Sequence, residues 1–386
     1  MNPSTKTFRS LIDFIRQWYG TDDFLPLHVP VFNGNEKAYL NECIDSTFVS
    51  SVGKFVTEAE EKFAKTVGSK YAVAVVNGTS ALHLALRVAG VEEDDEVVTQ
   101  PLTFVATCNA ISYQRAHPVF VDVERDTLGM CPKALASFLH ENTEVRDGVC
   151  YNRISGRKIS VCLPMHTFGH PVKLDEIKNV CDEYHITLVE DAAESIGSYY
   201  KGSHTGNVGL VSAFSFNGNK TITCGGGGML TTNDEAIAKH AKHLSTVAKT
   251  AHPYEFHHDE IAYNYRMPNI NAALLVAQVE QLEDILENKR NTAYAYRDFL
   301  ADKDGISFVE EPEDCTSNYW LNAVLLENRQ AREEFLKITN ESGIMTRPAW
   351  ILMNKLPAFK HCQTAPIPNS EYLEDRLVNI TSSVKG

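Results

Sequence analysis

Apolar and polar positions follow two alternating periods between residues 58 and 230. Segments in which apolar residues recur every three or four positions predict helices, and the short apolar runs between them predict strands. Because the two kinds of segment take turns, we expect a mostly parallel sheet with helices on both faces. The pattern predicts helices at 58–66, 80–89, 105–112, 132–140 and 174–184, and strands at 71–76, 96–100, 118–121, 159–164, 186–189 and 212–216.

Three segments depart from this alternation. Residues 1–30 place apolar side chains at helical spacing, so we expect an amphipathic helix that packs on the main body or on a partner chain. Residues 141–158 are polar and charged, which predicts an excursion or hairpin at the surface. Residues 269–300 have the pattern of one long helix.

The pattern changes again after this helix. Short strands near Ile306 and at 321–326, with a helix at 331–339, predict a smaller α+β domain. The expected organisation is therefore an N-terminal extension at 1–30, a large α/β domain at 31–268, and a C-terminal part at 269–386 made of the long helix and the small domain.

Composition narrows the classes of partner. The 386 residues include 36 basic and 50 acidic side chains, a formal net charge of −14, which disfavours nucleic acid and anionic membranes. No apolar run approaches the roughly 20 residues that cross a bilayer, and charges interrupt the first apolar stretch, unlike a signal peptide. Nine cysteines without CxxC spacing indicate reduced thiols, so we expect a cytoplasmic protein.

Two potential catalytic groups follow two of the predicted strands. Asp191 comes just after the strand at 186–189, and Lys220 lies between the strand at 212–216 and a glycine run. Open α/β sheets place ligand chemistry at the carboxyl ends of their strands. Pyridoxal 5'-phosphate (PLP) needs an amine for a Schiff base and a carboxylate that keeps its pyridine nitrogen protonated. Lys220 and Asp191 can fill these roles, although a solvated lysine and a turn-capping aspartate have the same pattern.

A phosphate site is predicted where the strand at 71–76 leads into a helix. Gly78 permits a tight turn, and the amides of Thr79 and Ser80 are expected to be free at the helix start, where the helix dipole favours an anion. An ordinary N-cap has the same sequence pattern. Phe104 follows another strand, where its ring could stack on a flat cofactor or belong to the core.

Other motifs are weaker. GNKT at 218–221 lacks the glycines of a nucleotide-triphosphate loop, and no GxGxxG follows the early strands, which disfavours a nicotinamide oxidoreductase. His257, His258 and Asp259 have no recognised ligand spacing, so we expect a polar loop there and no metal.

Several motifs in this order resemble the DegT/StrS family of PLP-dependent nucleotide-sugar aminotransferases. The resemblance runs from about residue 30 almost to the C-terminus and is closest to the branch that makes 4-amino sugars for legionaminic acid. The motifs are SSVGKFVTEAEEKFAK (50–65), NGTSALHLAL (77–86), PLTFVAT (101–107), MHTFGH (165–170), EDAAES (190–195), SFNGNK (215–220) and YNYRMPNINAAL (263–274).

The resemblance implies a type I aminotransferase fold and a homodimer with active sites between its subunits. Lys220 would form the Schiff base and Asp191 would pair with the pyridine nitrogen. The other implied cofactor contacts are stacking by Phe104 and Ala193 on the two ring faces, phosphate binding by Gly78, Thr79, Ser80 and Ser215, and contact with the partner subunit's phosphate by Asn264.

The implied reaction moves an amino group from L-glutamate to C4 of a nucleotide-linked 4-keto-6-deoxy-N-acetylhexosamine. Arg347, Arg266 and Trp350 are the candidates for binding the nucleotide sugar. Glu194 departs from the glutamine common in the family near the cofactor's phenolic oxygen, and a carboxylate there would repel that oxygen unless they share a proton. A 3-aminotransferase and a PLP-binding regulator without turnover are the remaining alternatives.

Overall fold

The computed structural model describes residues 3–386, so residues 1 and 2 of the predicted N-terminal extension lie outside the described part. The α-helices of the described part, numbered in chain order, are α1 Pro3–Tyr19, α2 Glu36–Asp45, α3 Lys54–Val67, α4 Gly78–Val88, α5 Val105–Tyr113, α6 Pro132–Asn142, α7 Leu174–Glu183, α8 Glu235–Ser245, α9 Asn269–Glu280, α10 Leu282–Leu300, α11 Arg329–Glu341 and α12 Pro368–Glu374.

The strands form one large sheet and several small ones. They are β1 Tyr71–Val75, β2 Glu96–Thr99, β3 His117–Phe120, β4 Thr143–Arg146, β5 Val149–Asn152, β6 Ile159–Leu163, β7 Thr187–Asp191, β8 Tyr199–Tyr200, β9 Ser203–His204, β10 Val211–Ser215, β11 Gly228–Thr232, β12 Lys249–Thr250, β13 His257–His258, β14 Ile306–Phe308, β15 Cys315–Thr316, β16 Asn322–Leu326, β17 Arg347–Pro348 and β18 Leu377–Ile380.

The large sheet has seven strands in the order β1-β11-β10-β7-β6-β2-β3. Strand β11 is antiparallel to both of its neighbours, and the remaining pairs are parallel, which confirms the predicted mostly parallel sheet. The sequence pattern did not predict β11, because this strand begins at Gly228, the last residue of the glycine run. Its neighbours β1 and β10 are mostly buried along their length, as expected of a sheet covered by helices.

The predicted single helix at 269–300 is wrong in one respect. It is two helices, α9 and α10, that meet at Gln281, whose backbone leaves the helical region with φ −104° and ψ 2°. Helix α9 is buried among α2 and α3, whereas α10 continues to the C-terminal part. The break redirects the chain between these two surroundings, and no glycine or proline between residues 269 and 300 marks it in the sequence.

Helix α1 packs within its own chain. Phe8, Leu11 and Ile15 are fully buried against Tyr296 of α10 and Phe335 of α11. The same apolar cluster includes residues of the small antiparallel sheet, whose order is β14-β16-β18-β17. The N-terminal helix is therefore a structural layer of the small C-terminal α+β domain.

Two further expectations concern the surface. Residues 143–152 form the antiparallel hairpin of β4 and β5, in agreement with the excursion predicted at 141–158. Among residues 3–386, no helix is both long enough and apolar enough to cross a membrane.

Candidate active site

Two neighbouring strands of the large sheet, β7 and β10, carry the central groups. They pair in parallel with Asp191 opposite Ala213, so Asp191 and the segment after Ser215 emerge at the same edge. Side chains alternate between faces along a strand. Glu190 therefore points away from Asp191, where it binds His166 at 2.9 Å and accepts the N–H of Gly209 at 2.7 Å. Only the second carboxylate of the Glu190-Asp191 pair faces the site.

Asp191 is an almost completely buried carboxylate with neutral partners. Its Oδ2 accepts the hydroxyl of Thr107 at 2.7 Å, and its Oδ1 accepts the N–H of Ala193 at 3.2 Å. Burial raises the pKa of Asp191, while those hydrogen bonds oppose the shift. A cationic N–H placed against this carboxylate would stabilise the ionised form, since an opposite charge at hydrogen-bond distance lowers a carboxyl pKa.

Lys220 lies on the loop after β10 with its amine directed inward. Its side chain is 13% exposed and its Nζ donates to Glu194 Oε1 at 3.1 Å. The same nitrogen lies 4.0 Å from the ring centroid of Trp320, a cation–π contact. The indole N–H of Trp320 also donates to the carbonyl of Asn219 at 2.7 Å. Trp320 thus holds both the loop and the amine of Lys220.

Glu194 is the fully buried acid that faces this amine. Its Oε2 accepts the N–H of Phe168 at 2.9 Å, and Phe168 has φ 56°, a left-handed conformation that is unusual for a phenylalanine. Burial raises the pKa of Glu194 to about 7, and the nearby charge of Lys220 opposes the shift. With this pKa, Glu194 is partly protonated near neutral pH. A carboxyl group beside the cofactor's phenolic oxygen needs such a proton to avoid repulsion.

We expect Glu194→Gln to alter the pH dependence of stability of the cofactor-free protein. A carboxyl whose folded pKa is about 7 and whose ordinary pKa is 4.5 binds more protons in the folded state. The wild type should therefore lose stability as the pH rises from about 4.5 to about 7, by up to about 3 kcal/mol, whereas the glutamine variant should not show this loss.

Denaturant unfolding at several pH values measures this difference. Glu61→Gln, which removes an exposed carboxylate of α3, is the surface control. Parallel stability curves for the wild type and Glu194→Gln across this pH range would contradict the raised pKa.

The predicted phosphate residues converge at the start of α4. A Cβ placed on Gly78 would lie 2.6 Å from the Cβ of Ser215, so the two segments approach as closely as glycine allows. One expectation was wrong, because the Ser80 amide is not free. It donates to Asn77 Oδ1 at 2.8 Å, since Asn77 is the N-cap of the helix. Phosphate binding by Thr79, Ser80 and Ser215 stays a prediction, with the hydroxyl of Ser80 as its donor.

Gly78→Ala is expected to destabilise the protein and to weaken PLP binding. The added methyl group overlaps Ser215, and overpacking of this kind typically costs about 1–3 kcal/mol. Gly218→Ala is the matched control, because a Cβ at Gly218 meets no atom within 4 Å. Thermal melting and PLP titration of both variants check this, and equal affinities would contradict the close approach.

Phe104 and Trp350 form an aromatic pair next to the turn that binds Glu194. Phe104 is 48% exposed at the start of α5, with its ring centroid 6.1 Å from that of Trp350. The ring centroids of Trp350 and Phe168 lie 4.9 Å apart. This contact places Trp350, a predicted substrate residue, against the turn whose N–H binds Glu194. Arg347 is exposed on β17, three residues before Trp350. The structure therefore brings Phe104 and Trp350 together, with Arg347 at the nearby surface.

Asn264 and Arg266 lie elsewhere in the protomer. They line a cavity of about 420 Å³ with Ser51, Lys242, Thr246, Val247 and Lys249, and neither Lys220 nor Asp191 belongs to its lining. The buried Nε of Arg266 has no hydrogen-bond partner. Within one chain, these two predicted residues are not part of the Lys220 site.

Three site residues escaped the sequence reasoning. Thr107 belongs to PLTFVAT (101–107), and Asn318 and Trp320 belong to SNYWLNAVLLEN (317–328), a further segment that resembles the family, but their residue types suggested no role. Asn318 donates to the carbonyl of Glu194 at 2.9 Å and thereby fixes the turn that carries this acid. No local pattern links residues 107, 318 and 320 to Asp191 and Lys220, because the contacts are formed by the tertiary fold.

The donor set fits PLP. Asp191 offers a buried anion without a cationic partner among its hydrogen bonds, Lys220 offers an amine, and the Gly78–Ser80 turn lies across from Ser215. These are the requirements for the pyridine nitrogen, the aldehyde and the phosphate. Ala193 and Phe104 lie on the segments that follow β7 and β2, as the predicted stacking requires.

Known proteins support this interpretation. The profile of the DegT/DnrJ/EryC1/StrS aminotransferase family matches residues 31–385. EpsN of Bacillus subtilis (strain 168), a proposed pyridoxal phosphate-dependent aminotransferase, is 39% identical over 86% of this chain and 83% of its own length. The GDP-perosamine synthase of Escherichia coli O157:H7 is 36% identical over 93% of both chains.

A solved structure shares the fold. A DegT/DnrJ/EryC1/StrS aminotransferase from Brucella abortus superimposes with a TM-score of 0.80 and 27% identity over 90% of both chains. The architecture is thus that of the type I aminotransferases, with the large sheet and the small α+β domain already described. Taken with the geometry around Lys220 and Asp191, these similarities show that the chain belongs to the DegT/DnrJ/EryC1/StrS aminotransferase family and is a PLP-dependent aminotransferase.

Proposed function

We propose that the protein transfers an amino group from L-glutamate to C4 of a nucleotide-linked 4-keto-6-deoxy-N-acetylhexosamine, in the synthesis of sugars of the legionaminic acid type. The observation that carries the transfer chemistry is that buried Asp191 and the inward amine of Lys220 follow two paired strands at the same edge of the sheet. Support for a sugar substrate comes from the E. coli relative, which is named for a GDP-linked sugar.

Each residue has a defined task in the proposed reaction. Bound PLP supplies an electron sink for the α-carbon of the amino acid and for C4 of the sugar. The carboxylate of Asp191 holds a proton on the pyridine nitrogen. The amine of Lys220 takes the proton from the α-carbon of glutamate and later returns one to C4 of the sugar. Glutamate leaves as 2-oxoglutarate, and the keto group of the sugar becomes the amine.

Glu194 controls the proton next to the amine. Its Oε1 lies 3.1 Å from Lys220 Nζ, and burial brings its pKa to about 7. A protonated Glu194 can donate a hydrogen bond to the phenolic oxygen of the cofactor, which replaces the amide N–H that glutamine would supply. The carboxyl group is therefore compatible with the cofactor, and Glu194 is proposed to lie beside the phenolic oxygen.

The aromatic wall and Arg347 are assigned to the nucleotide sugar. The ring centroids of Trp350 and Phe104 lie 6.1 Å apart, and Trp350 also contacts Phe168, whose N–H binds Glu194; the two rings can stack on a sugar ring or base. Arg347 offers a guanidinium for the diphosphate, which is a favourable bidentate match. Arg266 is the second candidate, in the separate cavity with Asn264.

The protein is proposed to act as a homodimer with shared sites. The segment before Asn264 exposes three large apolar side chains, Tyr254, Phe256 and Ile261, by 84%, 79% and 87%. Exposed apolar clusters of this kind mark interaction surfaces. A second copy covering this segment would place Asn264 against the partner's phosphate site. Equilibrium sedimentation of the wild type tests the dimer.

Products formed from labelled glutamate test the reaction. The PLP-loaded protein is incubated with ¹⁵N-glutamate and either UDP- or GDP-linked 4-keto-6-deoxy-N-acetylglucosamine. We expect a ¹⁵N-labelled amino sugar in one tube, and NMR should place the nitrogen at C4. A label at C3 from a 3-keto substrate would indicate the other regiochemistry. Conversion of glutamate without any sugar product would contradict the sugar assignment.

A further inference from the structure

Trp320 presents a fixed aromatic face to the amine of Lys220. Its main-chain N–H donates to Asn318 Oδ1 at 2.8 Å, and its main-chain carbonyl accepts from Lys289 Nζ at 3.1 Å. Its indole N–H donates to the carbonyl of Asn219 at 2.7 Å, and the residue is only 4% exposed. The ring cannot turn away from Lys220 without losing the indole hydrogen bond.

The same side chain that supports Trp320 also supports Glu194. Asn318 accepts the N–H of Trp320 through its oxygen, and its nitrogen donates to the carbonyl of Glu194 at 2.9 Å. The amine of Lys220 lies between these two residues, 3.1 Å from Glu194 Oε1 and 4.0 Å from the centroid of the Trp320 ring. One buried amide therefore holds both groups that contact the amine.

The carboxyl group and the ring stabilise a positive charge in different ways. A carboxyl group attracts an ammonium strongly only while it is ionised, and burial raises the pKa of Glu194 to about 7. In the proposed function, Glu194 is protonated beside the phenolic oxygen of the cofactor. An indole ring does not titrate, and its negative face attracts an ammonium much more strongly than a neutral amine. Trp320 is therefore the contact that favours the charged amine whichever form Glu194 takes.

The proposed reaction produces a charged amine at this position. Lys220 is released when the amino group of glutamate takes its place on the cofactor, and the free amine then accepts the proton of the α-carbon. The resulting ammonium belongs to a mostly buried side chain, where loss of hydration disfavours the charge. A cation–π contact offsets this penalty most effectively in such a desolvated place.

We propose that Trp320 is a positioning residue whose indole face holds the released amine of Lys220 as an ammonium between the two halves of the reaction. This inference rests on the proposed function for the part of Lys220 in proton transfer, and it is independent of which sugar accepts the amino group. Because the ring favours the released ammonium over the bonded lysine, it also shifts the balance towards release of Lys220 by glutamate.

Fluorination of the ring tests the electrostatic contact with little change in packing. Trp320 is replaced by mono-, di- and trifluorinated tryptophan, in which fluorine withdraws electron density from the face. Acetylation of Lys220 is then followed by mass spectrometry in the cofactor-free protein at about pH 7.5, since only the neutral amine reacts. The rate should rise stepwise with fluorination, by about 2–30-fold for the most fluorinated ring. The same replacements at Trp18, whose ring contacts Lys385, should leave the rate at Lys220 unchanged.

Two side-chain variants separate the ring face from its N–H. Trp320→Phe and Trp320→Leu both lose the hydrogen bond to Asn219, but only phenylalanine keeps an aromatic face. In PLP-loaded Trp320→Leu, release of Lys220, followed by cofactor absorbance, should need a ratio of glutamate to 2-oxoglutarate about 2–30-fold above that of the wild type, and Trp320→Phe should recover part of this change.

The outcomes separate this inference from the sugar assignment. Acetylation rates that do not respond to fluorination would overturn the role of Trp320, and this result stands even if Trp320→Leu does not fold. Equal release of Lys220 in Trp320→Phe and Trp320→Leu would also overturn it. A protein that shows the expected response at Lys220 but converts no keto sugar would support the role of Trp320 and overturn the proposed substrate alone.

Discussion

Lys220→Ala is expected to lower turnover by about 10⁴-fold or more while leaving the protein folded. The change removes both the covalent attachment of the cofactor and the proton transfer, and proton transfer alone typically contributes about 10²–10⁴-fold. The fold should persist because the side chain contacts only Glu194 and the Trp320 ring. Stopped-flow kinetics and thermal melting measure the two effects.

The same variant should raise the pKa of Glu194 further. Without the lysine charge, burial of Glu194 is opposed by one favourable interaction fewer, so its carboxyl should stay protonated to a higher pH. Lys178→Ala, on the exposed face of α7, is the matched control and should retain wild-type turnover. Comparable turnover by Lys220→Ala and Lys178→Ala would refute the assignment of Lys220.

Asp191→Asn should cost about 10²–10³-fold in turnover, the equivalent of about 3–4 kcal/mol, with little loss of stability. Asparagine can keep the hydrogen bond from the Ala193 N–H on its Oδ1 and can donate its amide N–H to the Thr107 hydroxyl, but it supplies no charge for a protonated pyridine nitrogen. Because burial disfavours the ionised carboxyl, the cofactor-free variant should be as stable as the wild type or more so.

Glu190, the carboxylate next to Asp191 in the sequence, provides the control variant for Asp191→Asn. Glu190→Gln disturbs a fully buried hydrogen bond with His166 and the acceptor of the Gly206, Val208 and Gly209 amides, so it should mainly lower stability. Chemical denaturation and single-turnover kinetics on both variants separate the effects. A stability loss in Asp191→Asn as large as that in Glu190→Gln would contradict the distinction between the two faces.

The spacing of apolar residues, and the polar residues that end each apolar run, were enough to predict a mostly parallel sheet. Strands such as β7 and β10 are short, mainly apolar runs that end at polar residues, so their carboxyl ends and the groups that follow could be placed. Strand β11 was not predicted, because its first residue belongs to a glycine run. The break at Gln281 was missed because no glycine or proline marks it between residues 269 and 300.

The site residues that could be predicted are those whose side chains can react with or ionise against a cofactor. Lys220 and Asp191 are unusual groups at the ends of strands, whereas Thr107 and Trp320 reach the site only through contacts with distant segments. The Ser80 amide shows the limit of local reasoning, since Asn77 at the preceding turn takes the hydrogen bond that a phosphate was expected to receive. Such competition depends on a side-chain rotamer and a backbone angle, which the sequence pattern does not specify.

The most direct measurement is to map the lysine that bonds to PLP. The PLP-loaded protein is reduced with borohydride, digested, and its peptides are sequenced by mass spectrometry. If Lys220 forms the Schiff base, one reduced cofactor adduct per chain is expected on Lys220, and no adduct on that peptide in Lys220→Ala. An adduct on another lysine, such as Lys242 or Lys289, or none on Lys220 in a protein that has bound PLP, would contradict the central claim.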